Sequence, residues 1–206
     1  NIELLCFEKP EIQNNNKILN PIRHSVNRMT QLTDQLLAYA RGGKFQVEKI
    51  SIGDFISSTL PLIQYNIKST IGVKTDIPHD ISRIKADLTQ MQMVVSAIIS
   101  NASEAIDGTG CIRITGRNIE ITEENSKDFG GLEPGPYVCL KIEDDGMGMD
   151  EETRKRVFEP FFSTKFTGRG LGMAAAYGII KNHDGWMTIS SELGQGATVF
   201  FYLPAI

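Results

Sequence analysis

The sequence predicts an α/β domain over residues 44–206, preceded by a helical segment over residues 1–43. From Lys44 onward, short alternating runs typical of strands and longer amphipathic runs typical of helices follow one another. Two glycine-rich turns, Asp144–Gly148 and Gly168–Gly172, lie next to a strand pattern and a helix pattern. The first 43 residues show helical spacing only, and we therefore expect them to form a separate unit.

Composition limits the class of protein. A chain of 206 residues with 41% hydrophobic residues can bury a sizeable core, and a net charge of -4 gives no reason to expect a nucleic-acid partner. The three cysteines lie far apart without a CxxC pair, which fits a reducing compartment and no metal centre. No apolar run approaches the roughly 20 residues that span a bilayer. We expect no direct membrane contact and a cytoplasmic location, alone or as the cytoplasmic part of a membrane-bound sensor.

The first unit carries an apolar seam along a predicted helix. Seven residues alternate spacings of three and four, which suits packing against another helix: Leu19, Ile22, Val26, Met29, Thr33, Leu36 and Ala40. Gly42-Gly43 ends the helix, whereas Pro21 requires either a helix start capped by Asn20 or a kink. The seam fits a dimer-forming helix of a bundle. An ordinary helix packed on its own domain is the alternative.

Residues 46–86 contain four short elements. Gln46–Ile52 alternates like a strand, and Asp54–Ile67 is a helix candidate in which Pro61 is a local difficulty. Val73–Ile77 and Ile81–Ala86 are strand candidates on either side of a Pro-His-Asp turn.

Asp87 opens the clearest predicted helix. Asp87 and Gln90 stand at the cap and third helical positions, close to a capping box. Asn101 and Glu104, three residues apart, lie side by side at the edge of the apolar face. A polar Asn late in such a helix needs a partner, and a satisfied buried amide is the alternative to a ligand-binding role. The apolar face comprises Leu88, Met91, Val95, Ile98, Ala102 and Ala105.

The remainder of the domain alternates strands with two helices. Asp144 follows a strand directly, and strand ends are where the ligand sites of α/β proteins lie. Asp150 caps a short helix, Glu151–Val157, and a second helix ends near His183. We expect the first two strands to pair across a long connection and the last two to form a hairpin around Gly194-Gln195-Gly196. The predicted strands are Cys111–Thr115, Tyr137–Glu143, Trp186–Ser191 and Ala197–Leu203.

The turn Gly168–Gly172 and the apolar run after it predict a loop that leads into a helix N-terminus. Unpaired backbone N–H groups and the positive end of the helix dipole suit a phosphate group at such a place. Glycine lets the backbone approach an anion without a Cβ in the way. Taken alone, the pattern fits an ordinary surface loop equally well.

Together these stretches resemble, in order and spacing, the motifs of the sensor histidine kinases, and the resemblance covers nearly the whole chain. Leu36–Lys44 resembles the end of the second helix of that family's dimerisation hairpin, and Leu132–Val138 the run-in to its adenine-site strand. The nitrogen-regulation-like and hybrid kinases are the most similar sub-group. The motifs are Asn101, Asp144-x-Gly146-x-Gly148, Phe158-Glu159-Pro160-Phe161-Phe162-Ser163-Thr164-Lys165, Gly168-x-Gly170-Leu171-Gly172 and Gly194-x-Gly196.

The resemblance implies a Bergerat-type ATP-binding fold, an α+β two-layer sandwich with a mixed sheet on one side and helices on the other. Residues 44–206 would form this catalytic domain, and residues 1–43 would be the remnant of the dimerisation and phosphotransfer hairpin. The implied ligands are ATP and Mg²⁺. The implied partners are the receiver domain of a response regulator and, in the intact protein, a second copy joined through the hairpin.

For the adenine end, the resemblance implies that Asp144 accepts a hydrogen bond from the exocyclic amine, a contact that prefers ATP over GTP. Gly146 and Gly148 would keep the adenine wall free of side chains. Phe161 and Phe162 would anchor the base of a lid over the nucleotide. The nucleotide-binding set also includes Thr198, in the last predicted strand.

For the phosphate end, the implied catalytic residues are Asn101, Glu104 and Lys165. Asn101 would coordinate Mg²⁺ through its amide oxygen, because hard cations prefer oxygen ligands. Glu104 would hold Asn101 or a metal-bound water, with a solvated carboxylate as the alternative. Lys165 would balance phosphate charge, and Arg169 would assist it or be solvated. Backbone N–H groups would come from the glycine-rich turn, that is from Gly168, Gly170, Leu171 and Gly172.

The chain departs from the resemblance one turn before Asn101. Ala97 stands where the related gyrase and chaperone ATPases have a glutamate that activates water. An alanine cannot act as a base, so ATP hydrolysis is disfavoured as the main activity.

The phosphoacceptor of the family is also missing. In the family, the acceptor is a histidine followed by an acidic residue on the first helix of the hairpin. His24 of this chain would lie on the second helix of the hairpin, and a serine follows it. His79 and His183 are interpreted as structural or solvated. We therefore expect the acceptor upstream of Asn1 and interpret the chain as a fragment that binds ATP without phosphorylating itself.

Other classes stay open on the sequence alone. The chain could be a degenerate nucleotide-binding or dimerisation module without transfer activity. It could also be an ATPase of the gyrase, mismatch-repair or chaperone branch, or a serine kinase of the same fold. The missing glutamate argues against the ATPases, and the helix that ends at Leu36–Lys44 favours a histidine kinase over a serine kinase.

Overall fold

The structure is a computed structural model and describes residues 46–64, 67–164 and 170–206. The predictions for residues 1–43, including the helical seam and His24, lie outside the described residues. The same is true of Lys165, Gly168 and Arg169. The elements in chain order are β1 (Val47–Ile50), α1 (Ile52–Gln64), β2 (Ile71–Asp76), β3 (Ile84–Asp87), α2 (Leu88–Ala105), β4 (Gly110–Ile121), a 3-10 turn (Ser126–Phe129), β5 (Gly135–Asp144), α3 (Glu151–Arg156), α4 (Gly172–Asn182), β6 (Trp186–Ser191) and β7 (Ala197–Pro204).

Five strands form the main sheet in the order β2-β4-β5-β7-β6. β2 and β4 run parallel, and the other three neighbouring pairs are antiparallel. The predicted mixed sheet is confirmed, as are the pairing of β4 with β5 and the β6–β7 hairpin.

β1 and β3 form a separate antiparallel pair. An isolated bridge joins Ile84 of β3 to Ala205, and the N–H of Ile206 donates to the carbonyl of Arg83 at 2.9 Å. The residues after β7 therefore tie the small pair to the main sheet.

The helices α2 and α4 pack on each other and on one face of the main sheet. Successive side chains of a strand point to opposite faces of the sheet, so the face without helices carries the polar side chains of these strands. On that face, Lys141 Nζ lies 2.8 Å from the Glu143 carboxylate. The predicted two-layer α+β arrangement is confirmed. The sheet residues buried beneath the helices include Ile112, Ile114, Leu140, Ile142, Val199 and Phe201.

Some boundaries differ from those predicted. α1 begins at Ile52, which shortens the preceding strand, and it includes Pro61 close to its end. β4 continues past Thr115 to Ile121 because its second half pairs with the first half of β5. No helix in the described ranges is both long enough and apolar enough to cross a bilayer.

Candidate functional site

Asp144 is the last residue of β5, and its carboxylate begins the candidate site. The residue is 9% exposed, and its Oδ1 accepts a hydrogen bond from the N–H of Gly146 at 2.9 Å. Its neighbours across the sheet are Ile112 on β4 and Ala197 on β7. The sheet thus holds the carboxylate at a strand end, on the helix-covered side.

Three glycines allow the backbone to close around Asp144. A Cβ on Gly146 would lie 2.7 Å from the Ala105 carbonyl oxygen and 2.8 Å from Asp144 Oδ1. Gly148 and Gly196 have φ of +65° and +77°, which L side chains rarely adopt, and a Cβ on Gly196 would meet the Asp144 carbonyl. Close backbone packing thus explains glycine at 146 and 148, and the role predicted for them in an adenine wall stays a prediction.

Backbone hydrogen bonds fasten this loop to α2 and to the β6–β7 turn. The N–H of Met147 donates to the carbonyl of Ala105 at 3.0 Å, and its carbonyl accepts from the N–H of Gly194 at 2.7 Å. The Ser191 hydroxyl accepts from the N–H of Met149 at 2.9 Å. The loop after Asp144 is therefore held next to the last turn of α2.

Two aspartates that the sequence analysis did not assign to the site hold the same loop. Asp145 accepts the N–H of Cys111 at 2.9 Å and so ties the loop to the start of β4. Asp150 caps α3, as predicted, by accepting the N–H of Thr153 at 2.7 Å. That backbone hydrogen bond lowers the pKa of Asp150 below its ordinary value. The sequence pattern predicted the cap at Asp150, whereas no pattern near Asp145 indicated its partner, which lies 34 residues away in the sequence.

α2 places Asn101 and Glu104 on neighbouring turns. Asp87 caps this helix by accepting the N–H of Gln90 at 2.9 Å, as predicted. Asn101 is half-buried and Glu104 is exposed. Asn101 is thus not a fully buried amide, and its side chain lies one turn before the Ala105 carbonyl that holds the Asp144 loop.

The N-terminus of α4 lies against α2 one turn before Asn101. A Cβ on Gly172, the first residue of α4, would lie 3.7 Å from the Cβ of Ala97, an ordinary van der Waals contact. The residue at the cap, Leu171, makes no side-chain hydrogen bond to the helix end. Asn101 therefore lies between the Asp144 loop on one side and the start of α4 on the other.

In the aromatic segment before residue 165, Phe161 and Phe162 have different surroundings. Phe161 is 74% exposed and has φ of +67°, and its N–H donates to the Gly170 carbonyl at 3.0 Å. Phe162 lies under the Arg156 guanidinium, 4.2 Å from the ring centroid. Phe161 thus contacts Gly170 through its backbone and Phe162 contacts Arg156 through its ring, and the role predicted for both in anchoring a lid stays a prediction.

Phe158 is the aromatic residue of this segment that the sequence analysis left without a role. Its ring centroid lies 5.1 Å from that of Tyr177 on α4. Gly170 has φ of +63°, and a Cβ there would meet the Phe162 carbonyl. The described residues on either side of 165–169 are therefore held together and to α4.

Thr198 does not join the site. It pairs with Glu143 across β5 and β7, whereas Asp144 pairs with Ala197. Directly opposed residues of antiparallel strands share a face of the sheet, so the Thr198 side chain lies on the outer face, away from Asp144. The assignment of Thr198 to nucleotide binding is corrected, and Ala197 takes the place beside Asp144. The local sequence could not reveal this because the face on which Thr198 lies depends on the register of β7 against β5.

The described residues contain no group of three or more His, Cys, Asp or Glu side chains that could hold a metal ion. Mg²⁺ commonly takes one or two protein oxygens and completes its shell with phosphates and water. The single amide oxygen of Asn101, beside the N-terminus of a helix, fits that donor set.

Comparison with known proteins supports the reading of these motifs. The family described as histidine kinase-, DNA gyrase B-, and HSP90-like ATPase matches residues 86–206. Sensor kinase CckA of Brucella abortus (strain 2308) is 33% identical over 187 residues, which are 90% of this chain and 20% of CckA. The chain thus spans a fifth of the length of that relative.

Solved structures share the fold. Full-length ShkA in complex with AMPPNP superposes with a TM-score of 0.73 at 20% identity, over 93% of this chain and 39% of ShkA. Histidine kinase ThkA in complex with the response regulator protein TrrA superposes with a TM-score of 0.68 at 22% identity, over 93% of this chain and 51% of that one. The predicted Bergerat-type fold and the resemblance to sensor histidine kinases are both confirmed. The chain belongs to the histidine kinase-, DNA gyrase B- and HSP90-like ATPase family and carries the ATP-binding catalytic domain of the sensor histidine kinase type.

Proposed function

We propose that this chain is the catalytic region of a two-component sensor histidine kinase. In the proposed reaction, the γ-phosphate of ATP moves to a histidine that precedes Asn1 in the longer protein, and from there to an aspartate of a response-regulator receiver domain. The observation that carries the proposal is the position of Asn101 on α2. It lies between the buried carboxylate of Asp144 and the N-terminus of α4, so one bound ATP could contact all three.

At the adenine end, Asp144 accepts a hydrogen bond from the exocyclic amine. Its low exposure and its bond from Gly146 fix the carboxylate before the ligand arrives. Gly146 and Gly148 are proposed to form a wall without side chains beside the adenine ring, and side chains at these positions would also meet the protein backbone. Guanine carries a carbonyl oxygen at the same place and would meet the carboxylate acceptor to acceptor, which accounts for a preference for ATP.

At the phosphate end, the chain's own groups orient the triphosphate. The backbone N–H groups of Gly170, Leu171 and Gly172 bind phosphate oxygens at the start of α4. Lys165, Gly168 and Arg169 belong to the same proposed set, on the sequence pattern alone. Phosphoryl transfer depends mostly on positioning and charge stabilisation, and these groups supply both.

Asn101 is the proposed ligand of Mg²⁺, through its amide oxygen. When bound, the ion neutralises charge that develops on the phosphates. Glu104, on the next turn of α2, orients Asn101 or a water beside it. An acidic residue next to the acceptor histidine would remove the imidazole proton as the phosphate arrives.

The proposed partners follow from the same relationship. The structure of ThkA bound to TrrA supports a response-regulator receiver domain as partner. Residues 1–43 are proposed to belong to the helical hairpin that pairs two copies of the intact protein, and residues 44–206 to the catalytic domain. We propose a cytoplasmic location for the domain, where ATP is available.

Transfer of label from γ-labelled ATP with Mg²⁺ tests the proposal. The chain is compared with a version extended N-terminally by about 20 residues, enough for a further ~30 Å of helix. We expect acid-labile, base-stable label on the extended chain only, and loss of that label in the extended Asn101→Ala variant. Label on both chains would instead point to His24 as acceptor. ATP binding without label on either chain would contradict transfer and favour a nucleotide-binding module.

A further inference from the structure

His183, at the C-terminal end of α4, joins the two helices of the candidate site. The residue is 6% exposed. Its Nε2 accepts a hydrogen bond from the N–H of Asp87 at 3.1 Å, and its Nδ1 lies 2.8 Å from the carbonyl of Ile179. Because an N–H donor faces Nε2, the proton belongs on Nδ1, which donates to Ile179. The two ring nitrogens thus connect α4 to the N-cap of α2.

The N–H of Asp87 is available because of how α2 begins. Asp87 is the N-cap, and its carboxylate accepts the N–H groups of Gln90 at 2.9 Å and Gln46 at 3.0 Å. In a complete capping box, the side chain at the third helical position returns a hydrogen bond to the N–H of the cap residue. Here His183, at the end of α4, accepts the hydrogen bond from the Asp87 N–H. A bond that is usually internal to one helix therefore joins α2 to α4.

α2 and α4 run antiparallel and touch at both ends of their contact. At the end that faces the candidate site, Gly172 packs on Ala97. At the other end, His183 binds Asp87. The two contacts are separated by about 15 Å along α2 and about 16 Å along α4, at ~1.5 Å per residue.

The two contacts differ in what they fix. Close side-chain packing holds the helices together but is not directional. A hydrogen bond loses its strength as its length and angle change. The bond between His183 and Asp87 therefore adds a directional constraint on how far α4 lies along α2.

We propose that His183 is a positioning residue for the nucleotide phosphates. By fixing the axial register of α4 on α2, it sets the distance between Asn101 and the backbone N–H groups of Gly170–Gly172. This inference rests on the proposed nucleotide site, in which both groups contact one triphosphate. The adenine contact does not depend on this register, because Asp144 and its loop are fastened to β4, to the last turn of α2 and to the β6–β7 turn.

The test compares His183→Met with His183→Gln. The two side chains are similar in length and volume, and both lack the Nδ1–H donor, but only Gln offers an acceptor near the position of Nε2. Affinities for Mg·ATP and for adenosine are measured by calorimetry and by NMR titration, at a temperature at which circular dichroism shows each variant fully folded. His79→Met, at an exposed turn, is the matched control.

We expect His183→Met to weaken Mg·ATP binding about tenfold, because a displaced start of α4 would lose about one hydrogen bond to a charged phosphate oxygen. His183→Gln should recover most of that loss. Adenosine affinity should be the same in all the variants, and His79→Met should match the wild type for both ligands.

Several results would overturn the inference. Equal loss of adenosine and Mg·ATP affinity in His183→Met would show general destabilisation, and identical behaviour of Met and Gln would show that the Asp87 bond is irrelevant. Unchanged Mg·ATP affinity in His183→Met would remove any role for His183 in positioning. Failure of the wild type to bind Mg·ATP would overturn the proposed function itself, which separates the two conclusions.

Discussion

Replacement of Asp144 by Asn tests the adenine contact with little change of shape. Asp144 Oδ1 accepts the N–H of Gly146 at 2.9 Å, and an Asn side chain can keep this bond only with its oxygen toward Gly146. The amide NH₂ then takes the place of the second carboxylate oxygen. A donor therefore faces the donor amine of adenine, where an acceptor stood before.

The size of the effect follows from this exchange. A hydrogen bond to a charged acceptor contributes about 1.5 to 3 kcal/mol, which corresponds to a roughly 10- to 150-fold increase in Kd for ATP. The low exposure of Asp144, 9%, places the contact toward the upper end, because water cannot easily replace it. The new NH₂ can donate to the carbonyl oxygen of guanine, so the preference for ATP over GTP should also shrink.

Calorimetric titration with ATP and with GTP measures both effects. Asp145→Asn is the matched control, since it makes the same charge change at the next residue and keeps an acceptor for the N–H of Cys111, 2.9 Å away. Asp145 is exposed, and its variant should bind ATP like the wild type. ATP affinities of the two variants within about threefold of each other, that is within ~0.7 kcal/mol, would refute the role of Asp144.

Three further predictions concern the metal, the glycine turn and alkaline stability. Asn101→Ala should remove most of the Mg²⁺ dependence of ATP affinity, measured with and without EDTA, whereas an unaltered Mg²⁺ effect would exclude Asn101 as ligand. Gly148→Ala should lower the free energy of unfolding, measured in urea, by more than about 2 kcal/mol, because φ at Gly148 is +65° and the new Cβ would meet the Glu192 carbonyl. In the control, Gly194→Ala, φ is +77° but the new Cβ would meet no atom, so the loss should be only ~1 kcal/mol. Burial raises the pKa of the Cys139 thiol from 9.0 to about 11, so this thiol loses its proton at a lower pH in the unfolded chain than in the folded one. The free energy of unfolding should therefore fall by at most ~3 kcal/mol as the pH rises from about 9 to 11. Cys139→Ala should make that decline shallower, and an identical alkaline unfolding profile would contradict this account.

The elements that the sequence predicted well are those with a local cause. α2 shows a cap at Asp87 and an apolar stripe, and both features act within one or two turns. The β6–β7 hairpin is announced by its glycine turn, which determines the chain reversal directly. The glycine motifs likewise indicated the residues around Asp144, although the backbone atoms that a Cβ would meet belong to other segments, for example Ala105 for Gly146 and Glu192 for Gly148.

The features that the sequence did not reveal depend on distant partners. β4 extends to Ile121 because a partner strand pairs with its second half. Thr198 and Ala197 are adjacent in sequence, and only the register against β5 decides which of them lies on the face of Asp144. The N–H of Asp87 goes to His183, 96 residues away, although the local pattern suggested Gln90.

The contact between Ala97 and Gly172 also bears on the kind of reaction the site can support. Hydrolysis of ATP needs a group that activates water near the γ-phosphate, and a methyl group at position 97 cannot supply it. A Cβ added at Gly172 would lie 3.7 Å from the Cβ of Ala97, so the side chain at position 97 faces the start of α4. An acceptor that brings its own nucleophilic nitrogen needs no such base at this position, which agrees with the proposed transfer to a histidine.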